Sequence, residues 1–139
     1  MTARWELFSH DADIGVRGFG ANTGQAFEQA ALAMTAAITD LSRVVPQQQI
    51  TVECAAPDQE LLFAEFLNRL VYEMDVRRML FSRFEVQIHG LRLRACVWGE
   101  PLESARHRPA VEIKGATFTG LRVDVDEQGE WRAQTVVDV

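Results

Sequence analysis

A chain of 139 residues with 47% apolar content is long enough to build one domain around a sizeable core. Its 14 Lys and Arg stand against 20 Asp and Glu, and the resulting formal charge of -6 repels phosphate backbones, which disfavours direct, salt-sensitive RNA binding. No stretch approaches the roughly 20 apolar residues of a membrane span, no basic segment precedes an apolar run at the N-terminus, and Cys54 and Cys96 lack zinc-type spacing; the expectation is a cytoplasmic protein whose two reduced thiols pack as small core hydrophobes.

Taken in chain order, residues 4–8 alternate polar and apolar, and Ile14, Val16 and Phe19 follow a short break at 9–12, so two early strands are expected. Asn22 or Thr23 caps a helix carrying Phe27, Ala31, Met34, Ile38 and Leu41 at intervals of three and four, with Pro46 as its stop. Ile50, Val52 and Cys54 alternate as a strand. Pro57 and Asp58 then open a second helix, running to about residue 75, whose wide apolar stripe (Leu62, Phe63, Phe66, Leu67, Leu70, Val71, Met74) has to lie against a sheet. Phe84, Val86 and Ile88 lead into His89-Gly90, and Leu91, Leu93, Ala95 and Val97 follow it, the pattern of a hairpin. Residues 104–109 read as a surface loop containing His107. Strands over 111–118, 121–125 and 131–137 complete the chain, the last two joined by a turn at 126–129. The fold class is therefore α+β: two helices packed on mainly antiparallel β-sheet, in one compact domain over 1–139.

Chemistry concentrates at His10-Asp11-Ala12-Asp13 and at the end of the last strand. Residues two apart on an extended chain face the same way, so Asp11 and Asp13 can converge on a hard cation, and oxygen ligation suits Ca²⁺ or Mg²⁺ rather than zinc. Asp138 and the carboxylate of Val139 offer further oxygen donors one residue apart. The ordinary alternative is that Asp11 caps a turn while Asp13 and Asp138 are solvated. His10 lacks a Ser or Cys nucleophile motif beside it and reads as a hydrogen-bonded structural histidine; Lys114 either lies on a solvated strand face or meets a phosphate or an acidic partner. Gly15, Gly18 and Gly20 form no phosphate-binding loop, and Trp5, Trp98 and Trp131 lack interleaved basic residues, which favours core or interface packing over base stacking. The constellation of a metal-dependent hydrolase is missing.

Five segments, HDADIGVRGFG at 10–20, QAFEQAALAM at 25–34, FLNRLVYEMD at 66–75, EIKGATFTGL at 112–121 and WRAQTVVDV at 131–139, together resemble the archease family in order and spacing over nearly the whole chain. The resemblance implies a non-catalytic activator of RtcB-type RNA ligases, enzymes that use GTP and a divalent metal to join RNA ends carrying a 2′,3′-cyclic or 3′-phosphate in tRNA splicing or RNA repair. It implies a divalent-metal site, Ca²⁺ with Mg²⁺ or Mn²⁺ as alternatives, formed by Asp13, Asp138 and Val139. Asp11 stands where the family usually has Thr, and is either an additional ligand or a turn residue. Lys114 and His10 are implied to belong to the partner-facing surface, and Thr119 replaces a usual His. The alternative implied role is that of a chaperone or modulator of a tRNA-modifying methyltransferase.

Overall fold

The structure, a computed structural model, describes residues 2–139. Eight strands form two antiparallel sheets: β1 (Arg4–His10), β2 (Asp13–Gly20), β8 (Trp131–Asp138), β6 (Gly115–Ala116) and β7 (Arg122–Val125) make one, with β6 and β7 successively flanking β8, while β3 (Gln48–Ala55), β5 (Arg92–Pro101) and β4 (Met79–His89) make the other with β5 in the centre. Helices α1 (Thr23–Ile38) and α2 (Gln59–Arg77) supply the core between them. Two pairings position everything discussed below. β1 and β2 form a hairpin in which His10 faces Asp13, and β8 returns from the far end of the chain to pair with β2 from Ile14↔Val137 to Gly20↔Trp131.

Both long helices start where a short polar side chain can take the place of the missing helical acceptor. Asn22 accepts the Gln25 N–H at 2.8 Å, and Asp58 accepts the Leu61 N–H at 2.8 Å. Helix α1 ends at Ile38, well before Pro46, because Thr39 turns extended; Asp40 then caps a separate 3-10 turn at Leu41–Arg43. Helix α2 runs two residues past the expected end and stops where Arg78 adopts a left-handed conformation, φ 55°. Phe27 of α1 packs against Phe63 and Phe66 of α2 at ring-centroid distances of 5.0 and 6.1 Å, and all three are fully buried. Helix α1 also lies directly on β2: a Cβ at Gly18 would fall 2.1 Å from the Ala26 carbonyl oxygen, so only glycine allows that approach.

The sequence expectations need correction in three places. The 104–109 segment contains a third helix of one turn, α3 (Ser104–His107), and His107 is fully buried rather than a surface-loop residue. The strand expected over 111–118 shrinks to Gly115–Ala116. The alternation there comes from half-buried Val111 and buried Ile113, which pack toward the core without a β partner, while the Asn68 side chain of α2 accepts the Ala116 N–H at 2.9 Å. Cys96 shares the outward face of β5 with Arg92, Arg94 and Trp98, so of the two thiols only Cys54, on the inward face of β3, packs against the core.

Candidate functional site

The open end of the five-stranded sheet is where the β1–β2 turn, the start of β2 and the end of β8 meet. Residues paired across antiparallel strands share a face, so Asp13 and Asp138, each one residue beyond the Ile14↔Val137 pair, both project from the face opposite α1. The backbone N–H of Val139 donates to Asp13 Oδ1 at 3.3 Å, which ties the last residue to the first residue of β2. Lys114 donates its backbone N–H to the Asp138 carbonyl at 2.9 Å, holding the stretch before β6 beside the same end. His10 pairs with Asp13 across the hairpin. The structure thus gathers Asp13, Asp138, Val139, His10 and Lys114 around one sheet end, although they span nearly the full length of the chain.

Asp11 behaves differently. The expected convergence with Asp13 needs extended backbone, but Asp11 lies in the two-residue turn with φ 52°, and its side chain is 94% exposed. Its carboxylate lies 3.9 Å from His10 Nδ1, making Asp11 a turn residue that faces His10 rather than the β8 end.

Asp13 and Asp138 carry hard oxygen donors, whose chemistry would suit Ca²⁺, Mg²⁺ or Mn²⁺ and gives no preference to zinc. Among the described residues no three His, Cys, Asp or Glu side chains come together closely enough to hold a metal ion, so an ion bound at the two aspartates would need further oxygen donors from elsewhere.

The remainder of that sheet face is covered by its own side chains. Phe8 lies over Gly15, the Arg17 guanidinium lies 4.4 Å from the Phe8 ring and donates to Glu6 at 2.5 Å and Gln134 at 2.8 Å, and Arg4 stacks on Phe19 at 3.6 Å. Arg132 forks onto Asp124 at 3.0 and 2.8 Å, holding that carboxyl below its ordinary range. These arginines already have anionic or aromatic partners.

Two further features escaped the sequence reading. Glu100, almost fully buried, accepts four hydrogen bonds: two from Arg106, at 2.9 and 2.6 Å, one from the Val45 N–H at 2.7 Å and one from His107 Nε2 at 3.0 Å. His107 Nδ1 accepts the Glu103 N–H at 2.9 Å, which leaves the ring proton on Nε2 for Glu100. The Arg106 bonds dominate in pulling the Glu100 carboxyl down to about 2 from 4.5. The second feature is a groove of about 670 Å³ between the C-terminal half of α2 and residues 109–114, floored by Val71, Met74 and Ile113 and reaching Lys114 at the sheet end. Nothing in local periodicity points to either, because their partners are distant in sequence. No helix of the described residues is long and apolar enough to cross a membrane.

Residues 5–139 match the Archease protein family (MTH1598/TM1083). The chain is 35% identical to the protein archease of Pyrococcus abyssi over 140 residues, covering 98% of this chain and 99% of that one, and 36% identical to that of Thermococcus gammatolerans with the same coverage. Among solved structures, the solution structure of protein 1598 of Methanobacterium thermoautotrophicum superposes with a TM-score of 0.84 at 32% identity, covering 97% of this chain and 98% of that one. The crystal structure of a Thermotoga maritima archease, described as a possible chaperone, shares the fold with a TM-score of 0.63 at 17% identity, covering 96% of each chain. With the family matched over almost its full length, and with the paired helices, two antiparallel sheets and closing β8 strand in place, this chain belongs to the archease family.

Proposed function

We propose that this protein is a non-catalytic activator of an RtcB-type RNA ligase, presenting the open end of its five-stranded sheet to the ligase and thereby promoting guanylylation and multiple turnover. The observation that carries the reading is the convergence of Asp13, Asp138 and Val139 at one exposed sheet end, beside His10 and Lys114. Asp13, Asp138 and the Val139 carboxylate are the residues to hold a divalent cation, Ca²⁺ by family resemblance with Mg²⁺ or Mn²⁺ as alternatives; such an ion supplies concentrated positive charge at an acidic protein's tip. The protein's share is positional. Strand pairing fixes β2 and β8 so that both aspartates stay side by side, the Val139 N–H to Asp13 bond keeps the last residue from fraying, and the Lys114 backbone bond ties the adjoining segment to Asp138. His10 and Lys114 border the aspartates and are the side chains placed to meet the ligase. The net charge of -6 and the paired arginines leave RNA to be held by the ligase, and a cytoplasmic location is part of the proposal.

The test is multiple-turnover ligation by the cognate ligase, with catalytic amounts of this protein, comparing wild type and Asp138→Ala. Stimulation by wild type that is lost in the variant supports both role and site. Full stimulation by the variant removes the site and keeps the role. No stimulation by folded wild type favours the second reading, a chaperone of a tRNA-modifying methyltransferase; its support is the description of the Thermotoga maritima relative as a possible chaperone, and co-purification with the methyltransferase tests it.

A further inference from the structure

Asn68 of α2 closes the gap between that helix and β6: its side-chain amide accepts the Ala116 N–H at 2.9 Å and donates to the Ala116 carbonyl at 3.4 Å. Farther back along the chain the gap opens into the groove between the C-terminal half of α2 and residues 109–114. That second wall has the form of a strand without a neighbour. Val111 and Ile113 turn inward while Glu112 and Lys114 stay exposed, the alternation of an extended chain. The stretch is pinned at both ends, by the Ala110 N–H on the Ile38 carbonyl at 2.8 Å and by the Lys114 N–H on the Asp138 carbonyl at 2.9 Å. Between these pins Val111, Glu112 and Ile113 make no backbone hydrogen bond to any described residue, although such groups ordinarily find partners in a folded protein. The mouth of the groove is apolar as well: Tyr72 and Leu102 line it at 54% and 37% exposed, and Val76, one turn beyond Tyr72, is 59% exposed.

We propose that this groove receives an extended segment of a partner protein, which adds a strand beside Val111–Ile113, sets alternate apolar side chains on Val71, Met74 and Ile113, and places a basic side chain between Asp75 and Glu112. The open backbone of the wall selects a strand over a helix, because a helix spends its own N–H and C=O groups internally and leaves those of the wall unpaired. The rim selects the charge. Counted from the Asn68–Ala116 bonds, Asp75 lies ~10 Å along α2 at the helical rise and Glu112 ~13 Å along an extended chain, so the two carboxylates stand on opposite walls at about the same level. Both are exposed, and neither belongs to an ion pair of the described residues. Two free acidic groups flanking an apolar channel complement a basic residue, whereas a second copy of this chain brings its own net charge of -6 against them. The groove is a surface separate from the sheet end, and its assignment does not rest on the ligase reading. Lys114 borders both, so one end of the bound strand lies beside Asp138.

The probe is an end-capped hexapeptide of alternating valine and arginine, titrated into the intact protein by calorimetry with no ligase present, so the result is independent of ligase stimulation. One peptide binds per chain, and the amides of Val111, Glu112 and Ile113 gain protection from hydrogen exchange. Asp75→Lys combined with Glu112→Lys weakens binding by about tenfold, whereas Glu53→Lys combined with Glu127→Lys, the same change of net charge at exposed positions away from the groove, alters it by no more than about twofold. N-methylating every second amide of the peptide keeps its charge and side chains, and in one of the two possible phases it weakens binding by about tenfold through lost backbone bonds. Absence of binding, equal losses in the two charge-reversed proteins, or indifference to N-methylation in both phases overturns the proposal. So does sedimentation velocity in which the protein alone self-associates and the Asp75→Lys, Glu112→Lys protein does not, since the groove then belongs to a second copy.

Discussion

Replacing Glu100 by Gln removes one charge from a buried side chain that accepts four hydrogen bonds, without changing its size. The carboxylate accepts two bonds from Arg106, one from Val45 and one from His107. An amide that keeps its oxygen at Oε2 retains the Val45, His107 and Arg106 Nη1 bonds with a weaker acceptor, but its NH₂ group replaces Oε1 and faces Arg106 Nη2, donor against donor. Breaking a buried pair costs ~3 to 5 kcal/mol when the stranded partner stays buried. Arg106 is 41% exposed and turns to water, so we expect ~2 to 4 kcal/mol at neutral pH. With a urea m-value of ~1 to 3 kcal/mol/M, the unfolding midpoint falls by about 1 to 2 M, with an unchanged slope. The pH dependence has a definite sign. Glu100 is depressed from 4.5 to about 2 in the folded protein, so its contribution is complete above the unfolded value and is lost as pH falls from about 4.5 toward 2. That ionisation-linked part is ~1 to 3 kcal/mol, the lower figure allowing for solvent around Arg106. Urea titrations of both proteins at several pH values therefore show a gap that narrows through this window. A variant with the wild-type midpoint at pH 7, or a gap that stays constant down to pH 2, refutes the reasoning.

Extending the chain beyond Val139 with a short tag removes the terminal carboxylate from the proposed donor set, and calorimetry should read weaker divalent-cation binding; unchanged affinity sinks that ligand assignment. Gly18→Ala drives a methyl group to 2.1 Å from the Ala26 carbonyl, and either α1 or β2 has to shift, at a cost of ~1 to 3 kcal/mol in thermal or urea unfolding. A fully stable alanine variant would show that α1 slides freely on the sheet. Phe27→Ala opens a cavity where three aromatic rings meet and should cost ~3 to 5 kcal/mol by the same measurement, with a loss below 1 kcal/mol contradicting the packing described.

The parts of the fold that were legible in the sequence are those decided by neighbours a few residues away. Asn22 and Asp58 cap their helices because a short polar side chain needs only the next turn, and alternation gave β3, β5, β7 and β8. The expectation of a core Cys96 failed although its signal is local: it sits between Ala95 and Val97, the inward residues of β5, and parity turns it outward. His107 was not, since its burial rests on Glu100, Glu103 and the Thr39 hydroxyl, which donates to its carbonyl, and no local pattern announces that a polar residue is satisfied. At the candidate site, Asp13 and Asp138 carry a spacing of 125 positions that only the β2–β8 register brings to nothing. The assumption that Asp11 and Asp13 are two steps along one extended strand failed because the turn intervenes, with Asp11 in a left-handed conformation.

The position of β8 has a kinetic consequence. The three-stranded sheet and α2 draw on one contiguous stretch, residues 48–101, and can organise through short loops. The five-stranded sheet cannot, because β8 lies more than a hundred residues along the chain from the β2 strand it pairs with, and the β1–β2 hairpin waits with a bare inner edge until β8 inserts beside it. Closing that long loop is the slow step that topology imposes, so refolding should be limited by docking of the last nine residues, and chains interrupted before residue 131 expose two β-edges at once.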